Sequence, residues 1–453
     1  MNSAPLSCFA QQRPIGQGGF YSATLRLHGR DAYTFVYDCG SLTDSDRLSN
    51  EIQEFSRELG NRQLDLLVLS HLDADHVNGV DRLLRNTNGV RDVFLPYLSP
   101  LERLIFVVRY PNQDESYYRL VADPVSALRT LGAENVFLVG ESDEDGSQDD
   151  LGPTNIGPDE LDRLRSVEKL KLNSGLAGRD AQIKAAHEEE YPTGKSPMAE
   201  GVTDARSLDI LGLWKLRMFQ KQGLRSTLSK VLAAGNFATA PANETPDEKR
   251  CRKFLGEIQA ILADQPLTNA AILAKISTDD GRKELRSAYE AIASIHNEVS
   301  LCLWHGPAFN SAHYFEGHAH GLSAASAFFA RQSSRHYWPW WDSECPNQRA
   351  GTMLTGDLCL KGTTLTKFAK HYERELPISG LFQIPHHGSR HNIELDHGLI
   401  HSFRFGFTSA GLRNKYLHPH MDVVDRLYED FDLDVLWSHE KAGVTFMLEF
   451  HWA

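Results

Sequence analysis

The sequence predicts an α/β protein interrupted by a helical module, and three observations carry that reading. Short apolar runs alternate or cluster as paired strands over residues 14–140, an acidic run then gives way to helical spacing, and strand patterns resume at Val299. In order, "FYSATLRL" and "AYTFVYDCG" read as a hairpin with Gly29, Arg30 and Asp31 in its turn. "LDLLVLS" is a strand buried on both faces, backed by a short helix at "GVDRLLRN". "DVFLPY" and "NVFLVG" supply two more strands around a helical stretch from Val121 to Leu131. Between Glu141 and Asp150, "ESDEDGSQDD" holds six acids in ten residues and no base, which marks a solvated linker. From Leu161 to Ile295, "LDILGLWKLRMFQKQ", "EKRCRKFLGEIQAILADQ" and "RKELRSAYEAIASI" carry apolar residues at helical spacing. That assigns Trp214, Met218 and Phe219 to the core of a helical module. "VSLCLWHG" and "GTMLTGDL" are strands again, and the His- and aromatic-rich stretch from His305 to Arg349 between them is either a surface insertion or a lid.

Composition narrows the class. At 453 residues with 41% hydrophobic content, the chain has the material for two or three packed domains. Its six cysteines form no CxxC pair, which argues against a disulfide framework or a thiolate zinc site and fits a reducing cytoplasm. No stretch approaches the roughly 20 apolar residues that span a bilayer, so no membrane association is expected. A formal charge of -13 argues against broad nonspecific affinity for nucleic acid, leaving only local basic loops for that purpose.

Three strand ends carry the chemistry. In "LVLSHLDADHVNGV", His71, Asp73, Asp75 and His76 crowd one turn after a buried strand, where they repel or compete for protons unless a metal holds them. A helix cap would explain Asp75 but not the two flanking imidazoles. Asp357 ends the apolar strand of "LTGDLCL", and His386 and His387 follow another in "FQIPHHGSRHN". Two metals so held could activate a hydroxide between them, so hydrolysis is the expected reaction. Asp73 or Asp75 could orient the attacking water, while His386, His418 or His420 could protonate the leaving oxygen. Ser389 and Arg390 in one rim loop, and Ser409, Asn414 and Lys415 with Arg413 in another, suit a phosphate better than a lactam or thioester.

These stretches resemble the metallo-β-lactamase fold superfamily and, within it, the hydrolase domain of ComEC, the DNA-uptake channel protein. The resemblance lies in "IGQGGF", "YDCGS", "SHLDADHVNG", "NEVSLCLW", "LTGDL", "PHHGS" and "TSAGLRNKYLHPH". It implies a four-layer αββα sandwich whose halves are residues 1–140 and 297–453, with 141–296 as an acidic linker and helical insertion. It also implies two divalent ions, zinc or manganese, at one sheet edge. His71 and Asp73 would serve the first, Asp75, His76 and His387 the second, and Asp357 would bridge them, leaving His386 to face the substrate. Asp73 stands where many relatives have histidine, and the third ligand of the first ion is expected from His305, His318 or His320. The implied activity is that of a phosphodiesterase acting on nucleic acid. Its rivals are a small-molecule phosphodiesterase and a non-catalytic scaffold in a stress or defence assembly. The helical insertion is expected to serve substrate access or a protein partner, and its removal to spare metal binding.

Overall fold

The computed structural model describes residues 6–110, 112–140, 171–172, 201–203, 207–210, 213–221, 225–263, 265–289, 300–308, 314–323, 336–340, 349–395 and 398–451. Its strands form two sheets. The first runs, edge to edge, β13 (His336–Trp340), β12 (Tyr314–Ser323), β18 (Val444–His451), β1 (Leu6–Gln12), β2 (Tyr21–Leu27), β3 (Arg30–Tyr37), β4 (Leu64–Val68), β5 (Val90–Pro96), β6 (Ala133–Val139) and β8 (Gly201–Thr203). It is antiparallel as far as β3 and parallel beyond. The second runs β7 (Lys171–Leu172), β9 (Ser207–Ile210), β10 (Trp214–Gln220), β11 (Leu301–Pro307), β14 (Gly351–Leu354), β15 (Ser379–Gln383), β16 (Phe405–Ser409) and β17 (Asp434–Ser438). Strands β14 to β17 are parallel, and β12 pairs with β17 as well as β18, which joins the sheets.

Side-chain alternation sorts the apolar residues of these strands into separate cores. On β4 and just past it, Leu67 and Leu69 pack under the helices Ser45–Leu59 and Val80–Asn86, whereas Leu66 and Val68 face the second sheet. On β11, Leu301 and Leu303 turn inward to meet them, while Cys302 and Trp304 pack outward beneath the helices Gly362–His371 and Met421–Phe431. A strand with apolar residues on both faces must be covered on both, and this arrangement covers them. Among the described residues, no helix is long and apolar enough to cross a membrane.

Residues 207–210 and 214–220 correct the helical reading of that region: they are β9 and β10, hydrogen-bonded into the second sheet. Leu208 and Ile210, then Trp214, Leu216 and Met218, recur every second residue and are buried between the sheets, with Lys215 and Arg217 between them less covered. Trp214, Met218 and Phe219 are core residues, but of a sheet. Helical structure does follow, at Arg225–Ala234, Pro246–Leu262, Asn269–Ile276 and Asp279–Tyr289. Phe254, Leu255, Ile258 and Ile276 join the same apolar cluster as Leu104 and Tyr117, and Arg282 pairs with Glu115 at 3.2 Å. Excising residues 141–296 would therefore remove four strands, β7 to β10, and uncover a core, so such a deletion is expected to disturb the metal centre instead of sparing it. The acidic run Glu141–Asp150 lies outside the described residues.

Candidate metal centre

The carboxyl ends of β4, β14 and β15 open onto one edge of the paired sheets, the place where α/β folds present functional groups. His71 follows β4, and Asp75 and His76 stand in the single turn Ala74–Val77. That turn is gripped by two glycine loops. The N–H of Gly19 donates to the carbonyl of Asp75 at 2.9 Å, and a Cβ on Gly40 would lie 2.6 Å from the backbone of Asp75. A side chain at Gly40 has no room, which gives "YDCGS" its physical meaning. Asp357 comes from the loop after β14, with its N–H donating to Ser300 Oγ at 3.1 Å. His386, His387 and Gly388 take φ values of 49°, 58° and 84° in succession. For the two histidines that left-handed backbone costs about 1 kcal/mol or more each, strain of the kind held at functional sites.

The strained turn aims its two rings apart. His387 Nε2 lies 3.4 Å from Asp75 Oδ2 and 3.8 Å from Asp357 Oδ1, while His386 Nε2 lies 3.5 Å from Asp357 Oδ2. Asp357 Oδ1 is also 3.3 Å from His76 Nε2, and its Oδ2 is 3.7 Å from His71 Nε2. Two sets of potential ligands result: His71, His76 and Asp357, and Asp75, His76 and His387.

Each imidazole is oriented from behind. Asp38 Oδ2 accepts from His76 Nδ1 at 2.8 Å, Ser70 Oγ lies 2.7 Å from His71 Nδ1, and the Ser409 carbonyl accepts from His387 Nδ1 at 2.7 Å. Asp38 is itself fixed by the N–H and hydroxyl of Ser70, both at 2.6 Å. With Nδ1 so engaged, His71, His76 and His387 each point a buried Nε2 with no hydrogen-bond partner at the same space, as Asp75 and Asp357 do with Oδ1. Five buried polar atoms left unmatched would be costly without a shared counter-ion. The electrostatics agree. Burial and the neighbouring His76 oppose charge on His71, yet Asp357 and Asp73 overcome both and lift its imidazole to about 9. Burial likewise opposes charge on Asp357, and His386, His76 and His387 override it, holding the carboxyl well below its usual range. Nitrogen and oxygen donors of this kind fit a divalent cation, which would replace those protons. Asp38→Ala is expected to weaken divalent-metal affinity about 10- to 100-fold by freeing the His76 ring, with calorimetric titration as the check.

The other predicted positions divide. Asp73 lies 3.5 Å from His71 Nε2, but its Oδ2 also accepts from Arg109 Nη1 at 2.6 Å. A cleft of about 920 Å³ opens above Asp75 and is lined by Arg109, His386, Ser389, Lys415 and His418, among others. Asn414 borders it but spends its amide on its own loop, donating to the Gly411 and His418 carbonyls at 2.6 Å and accepting from the His418 N–H at 2.9 Å. Ser409 donates its hydroxyl to the Gly16 carbonyl at 2.9 Å and is buried, so it positions His387 and offers nothing to a substrate. Arg390 pairs with Asp422 at 3.1 Å, His420 Nδ1 accepts from the Arg390 N–H at 3.2 Å, and neither side chain is among those lining the cleft. Arg390 thus has an ion-pair partner where the sequence predicts a phosphate contact, and His420 has an internal hydrogen bond where the sequence predicts a proton donor.

His305 is on β11, not in a loop, and does not reach the ligand sets. It sits between the sheets with Nε2 2.9 Å from the Tyr21 hydroxyl, and burial pushes its imidazole down to about 3. The folded state therefore keeps His305 neutral where an unfolded chain would protonate it. Stability carried by that difference is full above pH 6.5 and falls as pH drops toward 3. Urea midpoints measured from pH 7 to pH 4 are expected to fall less steeply in His305→Gln. His320, on β12, belongs to neither ligand set, and the side chain of His318 lies outside the described residues.

Sequence reasoning missed Asp38 and Arg109. Only the glycine-flanked "YDCGS" turn signalled the first, and nothing local signalled the second. The comparison with known families meets this geometry. Residues 19–147 match the family model of the metallo-beta-lactamase superfamily. The superfamily is composed mostly of hydrolases and usually binds divalent metals. The matched segment contains Asp38, His71, Asp73, Asp75, His76 and Arg109, while Asp357 and His387 join the site from beyond it. No curated protein matches the chain.

Proposed function

We propose that this protein is a metal-dependent phosphodiesterase acting on nucleic acid, built on a four-layer αββα sandwich of the ComEC-like branch. The observation that carries the reading is the set of five unpartnered ligand atoms, one of them on Asp75, which lines a cleft with a cationic rim of Arg109, Arg413 and Lys415 in a chain of net charge -13. A lactam or thioester needs no such rim, whereas phosphate oxygens do. His71 and Asp73 would hold one ion and Asp75, His76 and His387 the other, with Asp357 shared. Bound zinc or manganese would polarise a phosphoryl oxygen and acidify water there. Asp75 would orient the attacking water, and His386, on the cleft wall, would give the proton of Nε2 to the leaving oxygen. His418 stays neutral, since burial and the nearby His387 and His386 push it down to about 3, and it would steady the leaving group by hydrogen bonding. The sandwich halves would be residues 1–140 and 297–453, with β9 and β10 belonging to the second half's sheet and the helices of 225–289 as the inserted, partner-accessible part. Free thiols at Cys8, Cys39, Cys251, Cys302 and Cys359 support a cytoplasmic setting.

The test is metal analysis of purified protein, with cleavage assays on single-stranded DNA, RNA and a generic phosphodiester beside lactone and thioester controls. Metal-dependent cleavage of a phosphodiester alone is expected. Turnover of only the lactone or thioester would overturn the phosphoryl reading, and loss of both metal and turnover would leave a scaffold.

A further inference from the structure

The large apolar side chains exposed among the described residues are Leu42, Leu412, Tyr416, Leu417 and Tyr428. Leu42 and Tyr416 line the cleft, and Leu412 and Leu417 belong to the same rim loop as Tyr416, so four of the five gather on one lip of the candidate site. Scattered surface leucines need no explanation, but a gathering around one opening does.

Tyr416 is 48% exposed, and its ring stacks on His418 at 5.7 Å and 24°. His418 in turn lies nearly parallel to His387, at 6.2 Å and 26°. A series of rings thus leads from a ligand of the candidate metal centre to solvent, and Tyr416 ends it. Lys415 Nζ sits 4.9 Å from the Tyr416 ring centroid. The loop is held in shape by the Asn414 hydrogen bonds across it, so the ring is presented, not left to wander.

A half-exposed aromatic ring backed by His418, with the flexible Lys415 ammonium over it and the candidate metal centre nearby, is an arrangement that binds an unpaired base and its phosphates once the lysine moves from the ring to a phosphate. We propose that Tyr416 is a base-stacking platform that selects single-stranded nucleic acid, with Lys415 and Arg413 taking the adjoining phosphates. The inference rests on the phosphodiester reading above and names its substrate class. Duplex bases are already stacked on one another and have no face to offer Tyr416. Because every base has such a face, the preference is for strandedness and not for sequence.

The test is fluorescence anisotropy of the metal-loaded protein with a short phosphorothioate-linked oligothymidylate. Inorganic polyphosphate serves as a charged competitor without bases, and a duplex of equal length as the stacked one. Tyr416→Ala is expected to bind the single strand about 10-fold more weakly, Tyr416→Trp to restore binding, and polyphosphate affinity to stay constant across all three. Equal affinity in Tyr416→Ala, equal competition by duplex, or a parallel loss of polyphosphate binding would overturn the proposal. Stacking-dependent binding without hydrolysis of any phosphodiester would sink the hydrolase reading and keep this one. Hydrolysis without Tyr416 dependence would do the reverse.

Discussion

Asp357→Ala is expected to empty the metal centre and abolish hydrolysis. The two oxygens of Asp357 lie within 3.3 to 3.8 Å of the Nε2 atoms of His71, His76, His386 and His387, so one side chain balances four imidazoles. Removing it leaves their Nε2 atoms with Asp73 beside His71 and Asp75 beside His387, while Asp38 stays on the far side of His76. Loss of an orienting partner such as Asp38 costs about 10- to 100-fold, and loss of a shared ligand removes more, so turnover should fall by more than ~10²-fold. Metal content by plasma mass spectrometry and turnover of a generic phosphodiester are the paired readouts, with Asp357→Asn as the control that preserves volume. A variant that kept both metal and turnover would show that Asp357 is a structural carboxylate and that the site lies elsewhere.

Trp214→Ala is expected to destabilise the fold by about 3 to 5 kcal/mol, the range for emptying a buried aromatic site. Trp214 is fully buried on β10, with its ring 5.8 Å from Phe450 of the opposite sheet and 5.9 Å from His305. The cavity would therefore open between the sheets, where neither can collapse without breaking register. Urea denaturation is the measurement, and an unchanged m-value would show that the comparison is between like states. A loss below about 1 kcal/mol would mean that the Trp214 side chain adds little to the packing between the sheets.

In "WKLRMFQ", Trp214, Leu216 and Met218 satisfy a period of two, and with Phe219 they also leave apolar residues three and four apart as a helix does. What decides between them is the partner β11, which begins at Leu301, far along the chain. The ligand-bearing strand ends were legible because each follows an apolar run directly, so position along a strand fixed position in space for His71, Asp357 and His387. Asp38 was not, because its meaning depends on Ser70 and His76, which reach it only when β3 and β4 lie side by side. Ser409 and Asn414 show the opposite error. Their residue types promised donors for a substrate, but a side chain's hydrogen-bonding capacity can be spent internally, and both have spent it.

Strand β1 is flanked by β2 on one side and by β18 on the other, with Leu6 opposite Phe450. Seen from the ribosome, this makes maturation run backwards. A nascent chain that has reached residue 300 already displays His71, Asp73, Asp75 and His76, yet it lacks Asp357 and His387 and leaves one edge of β1 bare until translation arrives at Val444. The full set of candidate ligands is therefore assembled late, and β1 is closed over by β18 later still. Unfinished or prematurely terminated products carry half of the candidate ligands and an open sheet edge, which makes them prone to self-association.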